Sequence, residues 1–215
     1  MEENVIIASG GLQLQGLFDP KRNDRAVVVT HPHPLYGGDM FSPVVEAVVR
    51  AYARAGWATL RFNFRGAGTS DGAFDNGRGE QDDLRRAMAF VRDKGLDNVD
   101  LAGYSFGAWV NALAYGNEPL PGRMVMVAPP VNFLDFGPVT SLSALDLVIA
   151  GDRDDFADAA RVRAMVTEWN GQARMEVIPG ADHFFWSDLD RVEALLFDFL
   201  SIPEARKNGS TRLSV

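Results

Sequence analysis

Short apolar runs alternate with longer amphipathic segments along most of this chain. The short runs end at glycine or proline and several are rich in β-branched residues, which is typical of buried strands. The longer segments space their apolar residues as one face of a helix would, and several of them end at glycine. Strands are predicted over residues 25–34, 57–66, 98–105, 122–130, 145–152 and 173–180, and helices over 42–56, 77–95, 106–116, 155–171 and 188–201.

This alternation favours an α/β fold with a mostly parallel sheet and helices on both faces. Residues 4–20 differ, because two alternating runs flank Gly10 and Gly11, which predicts an antiparallel hairpin at the sheet edge. No linker interrupts the pattern. Residues 1–202 are therefore predicted to form one domain, followed by a polar tail over 203–215.

The composition narrows the classes of function. The chain has 215 residues, 47% of them hydrophobic, and it has no cysteine, which excludes thiolate nucleophiles and cysteine metal sites. Cysteine-free chains fit a reducing compartment, and the first residues lack the basic region of a signal peptide, so a cytoplasmic location is expected. A net charge of −8 disfavours nucleic acid and anionic membranes as partners. No apolar stretch approaches the ~18 residues of a membrane span.

The segment GYSFG places Ser105 between two glycines, where a predicted strand ends and a predicted helix begins. Such a sharp turn holds its middle residue in a strained conformation and projects the side chain above the sheet, at a helix N-terminus. A serine that merely caps the helix is the alternative. The partners available elsewhere in the chain favour a nucleophile.

A serine hydroxyl needs a base to become a nucleophile. In this arrangement the acid and then the base follow the nucleophile along the chain, and His183 alone among the three histidines follows Ser105. The acid is expected in the loop after the preceding strand. Asp154 is preferred there, with Asp152 and Asp155 as alternatives, and Asp155 is also expected to cap the next helix.

An acyl-transfer enzyme also needs hydrogen-bond donors for the tetrahedral oxyanion. The backbone N–H of Phe106 is expected to be one. The other should come from HPHPLYGG (31–38), where the prolines have no N–H, and His33 is preferred over Leu35 and Tyr36. Leu35, Tyr36 and Trp186 are expected to contact the substrate.

Two other interpretations of the polar residues are weaker. His31 and His33 with Asp39 have a spacing found in metallohydrolases, but three histidines without cysteine cannot build a second cluster, so neither a metal nor a cofactor is predicted. Residues 61–72 lack the lysine of a phosphate-binding loop. Arg65 in that segment is expected to pair with Asp82 or Asp83.

Together these motifs resemble those of the α/β-hydrolase superfamily. The resemblance is carried by HPHPLYGG, RFNFRGAGTSDG, GYSFG, GDRDD and DHFF, between residues 31 and 186, and is strongest to small, lidless, dienelactone-hydrolase-like bacterial hydrolases. It implies a triad of Ser105, His183 and an aspartate, and acyl-ester chemistry without a cofactor. This chain has no cysteine where dienelactone hydrolase uses one, and has His31-Pro32 where many relatives have His-Gly.

The sequence therefore predicts a serine hydrolase acting on small-molecule carboxylic esters or thioesters through an acyl-enzyme. A peptidase or acyltransferase on the same triad, or a non-catalytic binding protein, are the alternatives. Capped relatives insert a lid where this chain has only residues 131–145, so an open site is predicted, with Phe133 and Phe136 available as a small roof. No sequence feature indicates an oligomeric state.

Overall fold

One eight-stranded sheet runs through the molecule, whose computed structural model describes residues 2–21, 24–117 and 122–202. The strands are β1 (Glu3–Ser9), β2 (Leu12–Asp19), β3 (Arg25–Thr30), β4 (Ala58–Phe62), β5 (Asn98–Tyr104), β6 (Met124–Val127), β7 (Leu145–Gly151) and β8 (Arg174–Ile178). The helices are α1 (Pro43–Arg54), α2 (Arg78–Arg92), α3 (Phe106–Asn117), α4 (Ala159–Asn170) and α5 (Leu189–Ser201), with a 3₁₀ turn over Pro34–Tyr36. The strand order is β1-β2-β4-β3-β5-β6-β7-β8.

The predicted architecture is confirmed. Strands β3 to β8 are parallel, and β1 and β2 form an antiparallel hairpin that joins the sheet through β2 and β4. The hairpin turns at Gly10 and Gly11, whose φ angles of 55° and 90° lie in the region that glycine enters without strain.

Helices cover both faces of the sheet. The crossover through α1 runs from β3 to β4, whereas those through α2, α3 and α4 run in the opposite direction. Because parallel crossovers are right-handed, α1 lies on one face and the other three on the opposite face, while α5 packs against α1. Every residue of β4 and β6 is buried, as expected for strands covered on both sides.

The carboxyl ends of the parallel strands open on one edge of the sheet. Loops leave this edge after β3, β4, β6, β7 and β8, and we refer to four of them, residues 31–42, 128–144, 152–158 and 179–188, as the edge loops. The direction of the crossovers reverses between β3 and β5, and open α/β sheets bind ligands in the crevice at such a point. Residues 128–144, all of them described, contain neither helix nor strand, so no cap domain covers the crevice.

Several elements are shorter than predicted. The helix expected over 155–171 begins at Ala159, and the side chain of Asp158 accepts the N–H three residues on at 2.8 Å, so Asp155 as the helix cap was wrong. Asp154 explains the delay, because its carboxylate binds two backbone N–H groups just ahead and holds that segment in a turn. The tail over 203–215 lies outside the described residues. No helix within the described ranges is long and apolar enough to cross a membrane.

Candidate active site

Ser105 occupies the single-residue turn that joins β5 to α3. Its φ is +54°, a left-handed conformation that is strained for a residue with a side chain. The surroundings fix this conformation, since the N–H of Ser105 donates to the carbonyl of Val127 on β6 at 2.9 Å. The sharp turn lifts the hydroxyl above the carboxyl edge of the sheet.

The two glycines around Ser105 let strand and helix approach each other. A Cβ on Gly103 would lie 2.5 Å from Asn111 Nδ2 and 2.6 Å from the nitrogen of Ala108. On Gly107 it would lie 2.6 Å from both the carbonyl oxygen and the hydroxyl of Thr30 on β3. Contacts this short exclude a side chain at either position, which is the structural reason for the Gly-x-Ser-x-Gly pattern.

A continuous hydrogen-bonded chain connects Ser105, His183 and Asp154. Ser105 Oγ lies 2.8 Å from His183 Nε2, and His183 Nδ1 lies 2.7 Å from Asp154 Oδ2. All three side chains are buried. The other two aspartates of this loop lie outside the chain: Asp152 accepts the N–H of Gly180 at 2.6 Å, and Asp155 is exposed.

The second oxygen of Asp154 is also fully engaged. It accepts the backbone N–H groups of Phe156 at 2.9 Å and Ala157 at 2.8 Å. These two bonds fix the rotation of the carboxylate, so Oδ2 faces the imidazole. An ionised carboxylate suits this position, because each of its bonds comes from an N–H donor.

Tyr104 contacts the backbone of His183, which the sequence did not suggest. Its hydroxyl donates to the carbonyl oxygen of His183 at 3.0 Å, and the two rings lie 5.7 Å apart. Burial, together with the charges of Asp154 and Asp182, raises the pKa of Tyr104 well above its usual value. The phenol is therefore a permanent donor at neutral pH.

The backbone N–H groups of Phe106 and His33 have no hydrogen-bond partner among the described residues. Phe106 opens α3, where helical N–H groups are unpaired. In the loop after β3, the N–H of Leu35 donates to His33 Nδ1 at 3.2 Å and that of Tyr36 to the His33 carbonyl at 3.1 Å. His33 is thus the free donor among the three candidates of this loop.

His31 anchors the loop that carries His33. Its Nε2 accepts the N–H of Phe64 at 3.0 Å, so Nδ1 carries the proton and donates to the carbonyl of Pro32 at 2.6 Å. Complete burial lowers the pKa of His31 to about 4, which keeps the ring neutral. Both ring nitrogens are bound to backbone groups, so neither is available to a metal.

A cavity of about 580 Å³ opens above Ser105 between the edge loops. Tyr36 and Trp186 line it, whereas Leu35 lies in the same turn but not on the cavity wall. Phe133 also lines it, but Phe136 is buried and packs against Trp169 at 5.2 Å, away from the site. Most of the wall is apolar, with the aromatic side chains of Tyr36, Tyr104, Phe106, Phe133, Phe156, Phe184 and Trp186.

The segment after β4 has a structural role. Arg65 forms a two-point ion pair with Asp83, at 2.8 and 2.9 Å, whereas Asp82 pairs with Arg85. Asp83 is fully buried and also accepts the hydroxyl hydrogen of Ser9 at 2.8 Å. This cluster ties the hairpin to α2 behind the site.

Known proteins place the chain in a family. It is 33% identical to an α/β serine hydrolase homologue from Coxiella burnetii, over 93% of this chain and 97% of that one, with a TM-score of 0.86. It is 32% identical to a Xanthomonas campestris α/β serine hydrolase without a lid, over 98% and 96% of the two chains, with a TM-score of 0.85. An uncharacterized Rickettsia prowazekii protein is 31% identical over 188 residues, or 83% of this chain and 79% of that protein. No family model matches the sequence.

The protein therefore belongs to the α/β serine hydrolases, and to the architecture that lacks a lid. This confirms the family resemblance inferred from the motifs. Membership supports hydrolase activity.

Proposed function

We propose that the protein hydrolyses carboxylic esters or thioesters of small acyl groups through an acyl-enzyme on Ser105. One observation carries this proposal: the hydrogen-bonded chain from Ser105 Oγ through His183 to Asp154 lies at the floor of an open, mostly apolar cavity. A hydroxyl, an imidazole and a buried carboxylate in this order are the parts needed for nucleophilic acyl transfer.

In the proposed acylation step, Ser105 Oγ attacks the carbonyl carbon while His183 Nε2 takes its proton. Asp154 remains ionised, holds the imidazole in the tautomer with a free Nε2 lone pair, and stabilises the imidazolium that forms. The tetrahedral intermediate then collapses, and Nε2 returns the proton to the departing oxygen or sulfur. In the second half, His183 removes a proton from water, which attacks the carbonyl carbon of the acyl-enzyme. The bond from that carbon to Ser105 Oγ then breaks, Nε2 returns the proton to Oγ, and the acid is released.

The proposed oxyanion donors are the N–H groups of His33 and Phe106. Both residues line the cavity beside Ser105, and neither N–H is used by another described residue. Donors that are already in place and unpaired stabilise developing charge without reorganisation, and one such donor contributes roughly 10²–10³-fold to kcat. Tyr36 and Trp186 are proposed to contact the substrate from the cavity wall, and Leu35 is not.

Replacement of Ser105 by alanine tests the proposal. With p-nitrophenyl butyrate, Ser105→Ala should lower kcat/KM by roughly 10³-fold or more, because only binding and the oxyanion donors remain. Ser201→Ala is the control, since Ser201 lies on the last turn of α5 and, among the described residues, its hydroxyl donates only to the carbonyl of Phe197. Full activity in Ser105→Ala would contradict the proposal.

A further inference from the structure

The cavity offers an anion no compensating charge. Among its described lining residues there is no lysine, arginine, aspartate or glutamate, and the polar side chains are two histidines, two tyrosines, two serines and the indole of Trp186. A carboxylate or phosphate drawn into such a wall loses hydration without gaining an ion pair, which is costly. Such a wall therefore favours an uncharged group.

The loops around the mouth add a strong negative field. The four edge loops carry eight aspartates and a single arginine, Arg153, a formal charge of −7 out of −8 for the whole chain. The eight are Asp39, Asp135, Asp152, Asp154, Asp155, Asp158, Asp182 and Asp188. Most of the net negative charge of the chain therefore lies in the four edge loops.

Four of these carboxylates stand next to the cavity wall along the chain. Asp39, Asp135, Asp155 and Asp182 each directly adjoin a lining residue, and the last three are exposed. Arg161 of α4 contacts the loop after β6 through the side chain of Asn132, and Arg191 of α5 pairs with Asp188 at 2.9 Å. Arg61 of β4 also reaches an edge loop, at Met40, but it is itself paired with two glutamates. They leave the balance around the mouth strongly acidic.

The mouth is also aromatic. Seven of the nine large apolar side chains exposed in the described residues belong to the four edge loops: Leu35, Tyr36, Phe41, Phe133, Phe156, Phe184 and Trp186. Phe133 lies 6.0 Å from the ring of Tyr36 and 5.8 Å from that of Phe156, which joins three edge loops into one aromatic wall. Ring faces attract organic cations as well as apolar groups, and they repel anions.

We propose that this site selects its substrate by charge: it accepts acyl groups carried by uncharged or cationic leaving groups and discriminates against polyanionic carriers such as coenzyme A. The inference rests on the proposed function and narrows it. Like charge at the mouth slows the approach of an anion, and the cavity gives no ion pair in return.

Three butyryl thioesters with different leaving groups test the proposal. Butyryl-coenzyme A, S-butyryl-N-acetylcysteamine and butyrylthiocholine carry anionic, neutral and cationic thiols on the same acyl group. At low ionic strength, kcat/KM for the neutral thioester should exceed that for butyryl-coenzyme A by roughly tenfold or more, and the cationic thioester should at least match the neutral one. The difference should shrink severalfold towards ~0.5 M salt, where screening acts within a few ångströms.

A charge reversal at the mouth provides a matched variant. The carboxylate of Asp155 is exposed and has no side-chain hydrogen bond to another described residue, so Asp155→Arg should raise kcat/KM for butyryl-coenzyme A severalfold and leave the neutral thioester within about twofold. Asp97→Arg makes the same change directly before β5, at the amino ends of the parallel strands. It should alter kcat/KM for neither thioester.

Each outcome decides a different claim. Equal turnover of butyryl-coenzyme A and the neutral thioester would overturn charge selection. So would a difference that does not respond to salt or to Asp155→Arg, because it would reflect the bulk of the carrier. If the neutral thioester and p-nitrophenyl butyrate are both left intact, the proposed function itself fails and this inference falls with it.

Discussion

Replacement of Asp154 by asparagine should reverse the hydrogen bond that orients His183. Asp154 Oδ1 accepts two backbone N–H groups, at 2.9 and 2.8 Å, while Oδ2 lies 2.7 Å from His183 Nδ1. An asparagine keeps both backbone bonds only if its amide oxygen takes the Oδ1 position. The amide NH₂ then faces Nδ1 and donates to it. The imidazole proton must move to Nε2, where it points at Ser105.

The size of the effect follows from this geometry. An imidazole protonated on Nε2 cannot accept the serine proton, and the equivalent change in another Ser-His-Asp triad lowers kcat ~10⁴-fold, or about 5.5 kcal/mol. An asparagine in the flipped orientation would restore the tautomer but leave two N–H groups unpaired, the buried one of Ala157 and the partly buried one of Phe156, and a buried one costs roughly 1–3 kcal/mol. The flipped orientation is therefore disfavoured, and Asp154→Asn should lower kcat roughly 10³- to 10⁴-fold.

Steady-state hydrolysis of p-nitrophenyl butyrate measures this loss, with the two neighbouring aspartates as controls. Asp152→Asn should stay within about threefold of the wild type, because its amide oxygen can still accept the N–H of Gly180. Asp155→Asn should do the same, because its side chain is exposed. Wild-type kcat in Asp154→Asn, or a larger loss in Asp152→Asn, would refute this assignment of the acid.

Three further predictions concern pH, packing and chain length. Because burial lowers the pKa of His31 from 6.5 to about 4, the unfolded state binds a proton there first as the pH falls, and the free energy of unfolding should fall by about 3 kcal/mol between pH ~6.5 and ~4. Urea titrations of His31→Gln should show a shallower dependence of this free energy on pH, and an unchanged dependence would contradict the assignment. Gly107→Ala should destabilise the fold by roughly 1–3 kcal/mol or more, because the added Cβ would contact Thr30. Gly116→Ala in the same helix should be neutral or stabilising, because a Cβ there would meet no atom within 4 Å, and equal shifts in Tm for the two variants would argue against the close approach at Gly107. For p-nitrophenyl esters, kcat/KM should peak at about C2 to C6 because no cap buries a longer chain, and Phe133→Ala should lower the C6-to-C2 ratio; rates still rising at C12 would show an enclosed acyl tunnel.

Local patterns were sufficient to predict the order of the elements. Each parallel strand is a short apolar run with a turn signal at its end, and the hairpin has two glycines at its turn. The hydrophobic periodicity and the turn residues therefore identify both. The position of Ser105 could be predicted for the same reason, since the strand-to-helix turn and its glycines are contiguous in sequence. The helix after β7 began late because one carboxylate binds backbone N–H groups ahead of it, a competition that spacing alone does not reveal.

Contacts between residues far apart in the sequence were harder to predict. Three aspartates lie within four residues after β7, and only the folded loop distinguishes Asp154, which reaches His183 across 29 positions of sequence. Phe133 and Phe136 are three residues apart, yet one lines the cavity and the other packs on Trp169. Tyr104 meets His183 through a backbone carbonyl, and no side-chain pattern encodes such a contact.

Covalent labelling by a fluorophosphonate tests the central claim, that Ser105 is an activated nucleophile, most directly. Intact-mass and peptide mass spectrometry should find one adduct per chain, on the peptide that contains Ser105. The adduct should be absent from Ser105→Ala and form far more slowly in Asp154→Asn, because activation depends on the orientation of His183. An unmodified wild-type protein, or an adduct on any other serine, would contradict the account.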